Sequence, residues 1–281
     1  MTDDSMATSG APGPHDPEDT AGAGIDTTMP HSARIWNYWL GGKDNYAVDR
    51  EAGDQYVKVY PGIVDIARAG RAFLARAVRY LALEAGIRQF LDVGTGLPTV
   101  DNTHELAQRA APTSRIVYAD NDPLVLAHAR ALLTSTPEGV TDYIDADLRD
   151  PEAVLARAAG TLDLGQPIGL MIMGVMGHIP DDDEAQSIVQ RLLAGLPSGS
   201  YLALYDGLDS VSDAMTEAQE GYDDTGAMPY KLRYADQVRR FFDGLEFVEP
   251  GLVRCPEWRP DPSQADAGAN AITLAGVARK P

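Results

Sequence analysis

Hydrophobic positions along this chain fall into two alternating rhythms. One is a short, nearly unbroken apolar run; the other spaces apolar residues three or four positions apart. The first predicts buried strands and the second amphipathic helices. Ile66, Phe73, Leu74, Ala77, Val78 and Leu81 mark a helix over residues 66–83, with Arg68, Arg71, Arg76 and Arg79 outside its apolar stripe. Gly86 closes it, and a strand follows from Ile87 to Val93. That strand breaks into Gly94-Thr95-Gly96-Leu97-Pro98, and a helix is expected over 100–110, stopped by Pro112. A second strand, Arg115 to Ala119, ends in Asp120-Asn121-Asp122-Pro123, where Asp122 suits a helix N-cap and Pro123 the first helical position.

The same order continues. A helix over 124–133 leads to a third strand over 141–146, which ends in Asp147, and Pro151 opens another helix. Residues 168–176 are apolar throughout, as in a central strand with both faces covered. Asp181-Asp182-Asp183-Glu184 starts a helix to about Ala194; acids in a first turn suit the helix dipole, a simpler reading than a cation site. A fifth strand over 201–205, helices over 211–220 and 235–242, and apolar runs over 245–253 and 271–278 complete the pattern. The last two runs are expected to form an antiparallel pair. Strand-then-helix, repeated and closed by such a pair, predicts a doubly wound α/β sheet, mostly parallel with an antiparallel edge. Ligands of such sheets sit off the carboxyl ends of the strands, beside strand one.

The N-terminus departs from this rhythm. Residues 1–28 hold six acids and no Lys or Arg, with no apolar periodicity, and read as a disordered acidic tail. Residues 29–281 are then expected to form a single domain, an extension over 29–65 before a core over 66–281. Trp36, Tyr38 and Trp39 crowd into the extension ahead of Gly41-Gly42-Lys43-Asp44-Asn45-Tyr46. Aromatics this dense need a surface to pack against. They suit either a helix docked on the domain or a lid over a ligand, hinged at Gly41-Gly42.

Charge and cysteine content narrow the class. With 42 acids against 23 bases the net charge is −19, which disfavours nucleic acid as a partner, although a local basic patch around Arg233, Arg239 and Arg240 stays open. Cys255 is the only cysteine, so neither an internal disulfide nor a paired-cysteine metal site is expected, and no metal is assigned. The longest apolar run is about half a membrane span, and the first residues lack a signal-peptide pattern. A cytoplasmic protein with no membrane contact, a monomer or homodimer, is the expectation.

Candidate chemistry gathers at the predicted strand ends. Gly94, Thr95 and Gly96 form a turn whose glycines let backbone approach a ligand, ahead of a helix N-terminus. Asp120 ends strand two, where a carboxylate, an acceptor only, suits two ribose hydroxyls. Asp147 is placed to accept from an adenine amino group, Leu148 to give the ring apolar contact, and Asp92 to order the turn amides or face a sulfonium. Thr99 stands where a dinucleotide fingerprint needs its third glycine, and Pro98 crowds a pyrophosphate cradle. A ligand with ribose and base but no phosphate fits better than NAD, and S-adenosylmethionine is such a ligand.

The run Ala33-Arg34-Ile35-Trp36-Asn37-Tyr38-Trp39-Leu40-Gly41-Gly42-Lys43-Asp44-Asn45-Tyr46-Ala47-Val48-Asp49-Arg50 resembles the N-terminal signature of an S-adenosylmethionine-dependent methyltransferase family common in actinomycetes, long known only as a domain of unknown function. Leu91 to Thr99, Val117 to Pro123, His178-Ile179-Pro180-Asp181 and Phe241 to Leu245 resemble its further motifs. The likeness spans about Pro30 to Lys280. It implies the Rossmann-like class I methyltransferase fold, with a seven-stranded sheet, and S-adenosylmethionine as cofactor; it implies no acceptor. A small-molecule acceptor is the expectation. Asn121, Gly174 and Tyr38 join the cofactor set, Tyr38 suiting a core aromatic equally, and Lys43, Asp44 and Asn45 are expected to reach the cofactor's amino-acid end. Gly174 and Gly177 stand where bulkier residues are usual.

His178 follows strand four, where class I methyltransferases place residues facing the substrate. It suits a general base or a structural histidine bonded to a nearby loop. His104 is expected at the pocket mouth or in solvent. NPPY- or DPPY-like residues, typical of DNA amino-methylating enzymes, are missing after strand four. Two other classes remain open at this level: an NAD-dependent oxidoreductase, and a non-catalytic cofactor-binding or partner-binding protein.

Overall fold

The computed structural model describes residues 26–99, 101–132, 134–209, 212–261, 268 and 271–281. The tail expected over 1–28 therefore lies outside the described residues as far as position 25. Five strands run parallel: β1 (Gln89–Val93), β2 (Arg115–Asp120), β3 (Val140–Asp145), β4 (Gly169–Met173) and β5 (Tyr201–Gly207). The short strands β6 (Glu246–Phe247) and β7 (Val253–Arg254) both pair antiparallel with β8 (Thr273–Arg279), which pairs antiparallel with β5. The order along the sheet is β3-β2-β1-β4-β5-β8-β6, with β7 on β8 off this path. The expected antiparallel pair is present, but its first run splits at Pro250-Gly251 into two strands that share one partner, so the sheet has eight strands where seven were expected.

Helices cover both faces. α1 (Ser32–Trp39), α2 (Ala47–Val59), α3 (Ile63–Leu83) and α4 (Thr103–Ala110) precede α5 (Pro123–Leu132), α6 (Pro151–Ala158), α7 (Asp182–Ala194), α8 (Asp213–Asp223) and α9 (Ala235–Arg240). The strand pleat sends alternate residues to opposite faces. Phe90, Ile116 and Met171 pack with α3, while Leu91, Val117 and Leu170 pack with α6 and α7. That pleat also turns Asp92 toward the α3–α4 side, next to Phe90.

Several boundaries move for local reasons. The helix expected over 100–110 begins at Thr103, because Asn102 and Glu105 form a capping box around its first turn. The strand expected over 168–176 stops at Met173, where Gly174 adopts φ +71° and a single tight turn spans Met176–His178. α3 is buried well beyond one stripe. Arg76, expected outside, is 7% exposed and donates to the Trp258 and Cys255 carbonyls, and Phe73 meets the Trp258 ring edge-on at 5.4 Å. The 255–258 segment closes over the helix face that its sequence left polar. No helix among the described residues is long and apolar enough to cross a membrane.

α1 is held to α2 by a buried carboxylate. Asp49, fully buried, accepts from Arg34 Nε at 3.0 Å, the His31 amide at 2.9 Å and the Tyr46 amide at 2.8 Å. The Trp36–Trp39–Tyr56–Tyr222 series of edge-on rings continues that packing from α1 through α2 to α8.

Candidate active site

The carboxyl ends of β1, β2, β3 and β4 open into one cavity. Gly94, Thr95 and Gly96 border it after β1, Asp120 and Asn121 at the end of β2, and Asp147 and Leu148 after β3. Asp92 lies in its floor, Gly174 and His178 close it beyond β4, and α1 adds His31, Trp36 and Asn37. Gly94 and Gly96 take φ of +68° and +65°, a backbone glycine adopts without steric cost. A Cβ on Gly94 would stand 2.4 Å from Val175, whereas one on Gly96 would meet only Ala33 at 4.0 Å. Backbone at Gly96 therefore faces open space.

Asp120 shapes that turn. Its Oδ2 accepts the Gly96 amide at 2.9 Å and its Oδ1 accepts the Asp122 amide at 3.0 Å. Asp92 is expected from its position either to order the turn amides or to face a sulfonium; the Gly96 amide goes instead to Asp120. Asp92 points the other way, to the Thr103 hydroxyl at 2.6 Å. Each carboxylate oxygen has a second lone pair, so Asp120 keeps capacity for a diol. Burial pushes the Asp92 carboxyl up to about 6, opposed by the Thr103 hydrogen bond and by the Arg71 charge. Burial raises Asp120 as well. Asp122 does cap α5, accepting the Leu124 amide at 2.8 Å, and its second oxygen lies 3.1 Å from His31 Nδ1.

Two polar residues of the wall, besides His31 and Asn37, bear on the cofactor's amino-acid end and are absent from the site expected from sequence. Arg71, expected outside the stripe of α3, borders the cavity and donates to the Asp101 carbonyl at 2.9 Å. Thr99 also borders it, and its buried Oγ1 has no hydrogen-bond partner among the described residues. A cation beside an unsatisfied hydroxyl suits a ligand carboxylate. Tyr38 and the three residues expected to do this work lie outside the cavity wall. Tyr38 donates to Asp54 at 2.6 Å and Lys43 is exposed. The Asp44 amide and the Asn45 side-chain amide both donate to Asn37 Oδ1, at 3.0 and 2.9 Å. Their loop braces Asn37, and Asn37 reaches the cavity.

His178 sits between two spaces. It borders the strand-end cavity and also a second chamber walled by α1, α2 and α8. Its Nδ1 lies 2.9 Å from the Pro229 carbonyl, an acceptor only, so this bond places the proton on Nδ1 and leaves Nε2 with the lone pair. Burial lowers its pKa from 6.5, favouring the neutral ring. The loop-bonded role and the exposure to both spaces coexist. His104 is not at the mouth: it is 3% exposed, and its amide and Nδ1 meet the Tyr118 hydroxyl at 2.8 and 2.9 Å. Gly174 and Gly177 have a steric reason. A Cβ on Gly174 would fall 2.8 Å from the Tyr205 ring, and one on Gly177 would fall 2.3 Å from the Tyr230 ring.

Comparison with known proteins decides the family. A family model described as S-adenosyl methyltransferase matches residues 18–281. The chain belongs to this family. Two solved structures agree with the assignment. A DUF574-family protein from Streptomyces avermitilis is 46% identical, with a TM-score of 0.87 over 91% of this chain and 99% of that one. A methyltransferase candidate from Thermobifida fusca is 38% identical, with a TM-score of 0.81 over 91% of this chain and 96% of that one. No curated protein matches the chain. The S-adenosyl methyltransferase therefore has the Rossmann-like class I fold that the family resemblance implied, and S-adenosylmethionine is its cofactor. Family membership sets aside the oxidoreductase and the non-catalytic binding protein.

Proposed function

We propose that the methyltransferase acts on a small-molecule acceptor, with S-adenosylmethionine seated in the strand-end cavity and His178 as general base. The observation that carries this reading is the placement of His178 on the walls of both the cavity and the adjoining chamber. In this reading Asp120 takes the ribose hydroxyls, and Asp147 and Leu148 take the adenine. Thr95, Asn121 and Gly174 complete the wall. Arg71 and Thr99 hold the carboxylate of the amino-acid end, in place of Lys43, Asp44 and Asn45. Asp92, the buried acid of the floor, supplies negative potential toward the sulfonium.

When bound, S-adenosylmethionine would supply an electrophilic methyl group on its sulfonium sulfur and leave as S-adenosylhomocysteine once that group is on the acceptor. The chain aligns and deprotonates. Such alignment provides much of the rate of a displacement. His178 Nε2 receives the acceptor's proton and passes it to solvent, while the Pro229 carbonyl holds the ring in the tautomer that permits it. The net charge of −19 also supports a small molecule over a nucleic acid.

Methyl transfer by His178→Ala tests this assignment. Turnover is expected to fall by roughly 10²- to 10⁴-fold, with affinity for S-adenosylmethionine retained. Turnover equal to that of the unmutated chain would remove His178 from the mechanism.

A further inference from the structure

The second chamber has a chemistry of its own. It adjoins the cofactor cavity through Trp36, His178 and Tyr205, which border both. One wall is the edge-on series Trp36–Trp39 (5.4 Å), Trp39–Tyr56 (5.3 Å) and Tyr56–Tyr222 (6.1 Å). The facing wall carries Tyr205 and Tyr230, the two rings for which Gly174 and Gly177 make room. No Asp, Glu, Lys or Arg is among the described residues lining it, in a chain with a net charge of −19. One polar group lining it is unsatisfied: Thr273 Oγ1, fully buried, has no nitrogen or oxygen partner among the described residues, where the weakly bonding Cys255 thiol interacts with it.

We infer that the acceptor is a neutral, flat hydroxyaromatic compound held in this chamber, its hydroxyl at His178 and a second polar atom at Thr273; the inference rests on the cofactor seat proposed above. Flat rings suit walls that present ring edges and faces at these spacings. Burying a carboxylate, phosphate or ammonium where no counter-charge lines the wall is costly. An aliphatic amine would enter as a cation and find no anion. A hydroxyl is neutral on entry, and its proton has an acceptor in the neutral His178 ring.

The test uses calorimetry on the full chain saturated with S-adenosylhomocysteine. Naphthol is titrated first, then hydroxynaphthoic acid, which adds a carboxylate to the same ring system. Naphthol is expected to bind, and the carboxylate to bind at least about tenfold more weakly. Equal or tighter binding of the carboxylate overturns the inference, as does the absence of naphthol binding to a chain that takes up S-adenosylhomocysteine normally. Met215→Trp fills the chamber from α8 without touching the cofactor cavity. It should remove naphthol binding and leave S-adenosylhomocysteine affinity unchanged, whereas unchanged naphthol affinity places the acceptor elsewhere. If that variant does not fold, the two titrations of the unmutated chain decide alone. Failure of S-adenosylhomocysteine to bind overturns the cofactor seat, and is read separately from either acceptor titration.

Discussion

The Asp120 carboxylate accepts the Gly96 amide at 2.9 Å, tying the end of β2 to the turn that follows β1. The glycine turn is therefore set by its neighbouring strand as well as by its own residues. Asp92, one position before the turn's own strand ends, is turned by the pleat to Thr103 on α4. Two acids of similar sequence context thus have separate tasks: one holds backbone at the cofactor seat, and the other braces the helix behind it.

As the proposed general base, His178 gives the reaction a pH dependence of defined sign. A general base must be neutral, and burial lowers the His178 pKa from 6.5. The acid limb of kcat/KM is accordingly expected to have its midpoint below 6.5, with activity lost as the ring protonates through it. A rate–pH profile of the unmutated chain beside His178→Gln checks this. A limb of the same midpoint in both would assign it to another group.

Asp92 links stability to pH in the opposite direction from an ion-paired acid. Its carboxyl sits at about 6 in the fold against 3.8 for an aspartate in water, so the folded chain holds a proton that the unfolded chain has released. Stability is greatest below 3.8 and is lost as pH rises through about 6, by up to about 3 kcal/mol for this group. In the cofactor-free chain, Asp92→Asn should raise Tm at pH 7.5 and shrink the fall in Tm between pH 5 and pH 7.5. It should also weaken cofactor binding. Asp206, also pushed to about 6 by burial, sustains part of the slope; an unaltered slope in Asp92→Asn would refute the assignment.

Much of this was legible in the sequence, and the remainder fails for physical reasons. Buried parallel strands announce themselves as apolar runs, so β1 to β5 and the residues at their ends were readable. Asp120, Asp147, Leu148 and His178 all reach the cavity. Arg71 was not readable, because the face a helical arginine presents depends on what packs across it. Arg76 on the same helix is buried under Trp258 for that reason. Lys43, Asp44 and Asn45 lie outside the cavity wall, and a polar loop that braces a neighbouring side chain has the composition of one that binds a ligand. Only the Asn37 contacts distinguish the two.

Gly177 is expected to be intolerant of a methyl group. A Cβ there would lie 2.3 Å from the Tyr230 ring, and Tyr230 is fixed by its hydroxyl, which donates to the buried Asp206. Gly177→Ala should cost about 1–3 kcal/mol through overpacking, read as a fall in Tm. The displaced Pro229–Tyr230 segment also carries the carbonyl that orients His178, so turnover should fall with it. Unchanged Tm and turnover would show that Tyr230 can move freely.

Asp49 is the anchor of the N-terminal helix. Asp49→Ala leaves Arg34, 4% exposed, without its carboxylate, a loss of about 3–5 kcal/mol for a buried pair. Because Trp36 and Asn37 on α1 border the cavity, cofactor affinity should fall together with Tm. A destabilised chain with full affinity would separate α1 from the cofactor seat.

The most direct measurement is the S-adenosylmethionine affinity of Asp120→Ala and Lys43→Ala, titrated by calorimetry beside the unmutated chain. With Asp120 shaping the Gly96 turn and taking the ribose in the proposed seat, Asp120→Ala should bind about tenfold or more weakly, the cost of a lost charge-assisted hydrogen bond. Lys43→Ala, exposed and outside the cavity wall, should bind as the unmutated chain does. The reverse order, with Lys43 essential and Asp120 dispensable, would contradict the cofactor seat.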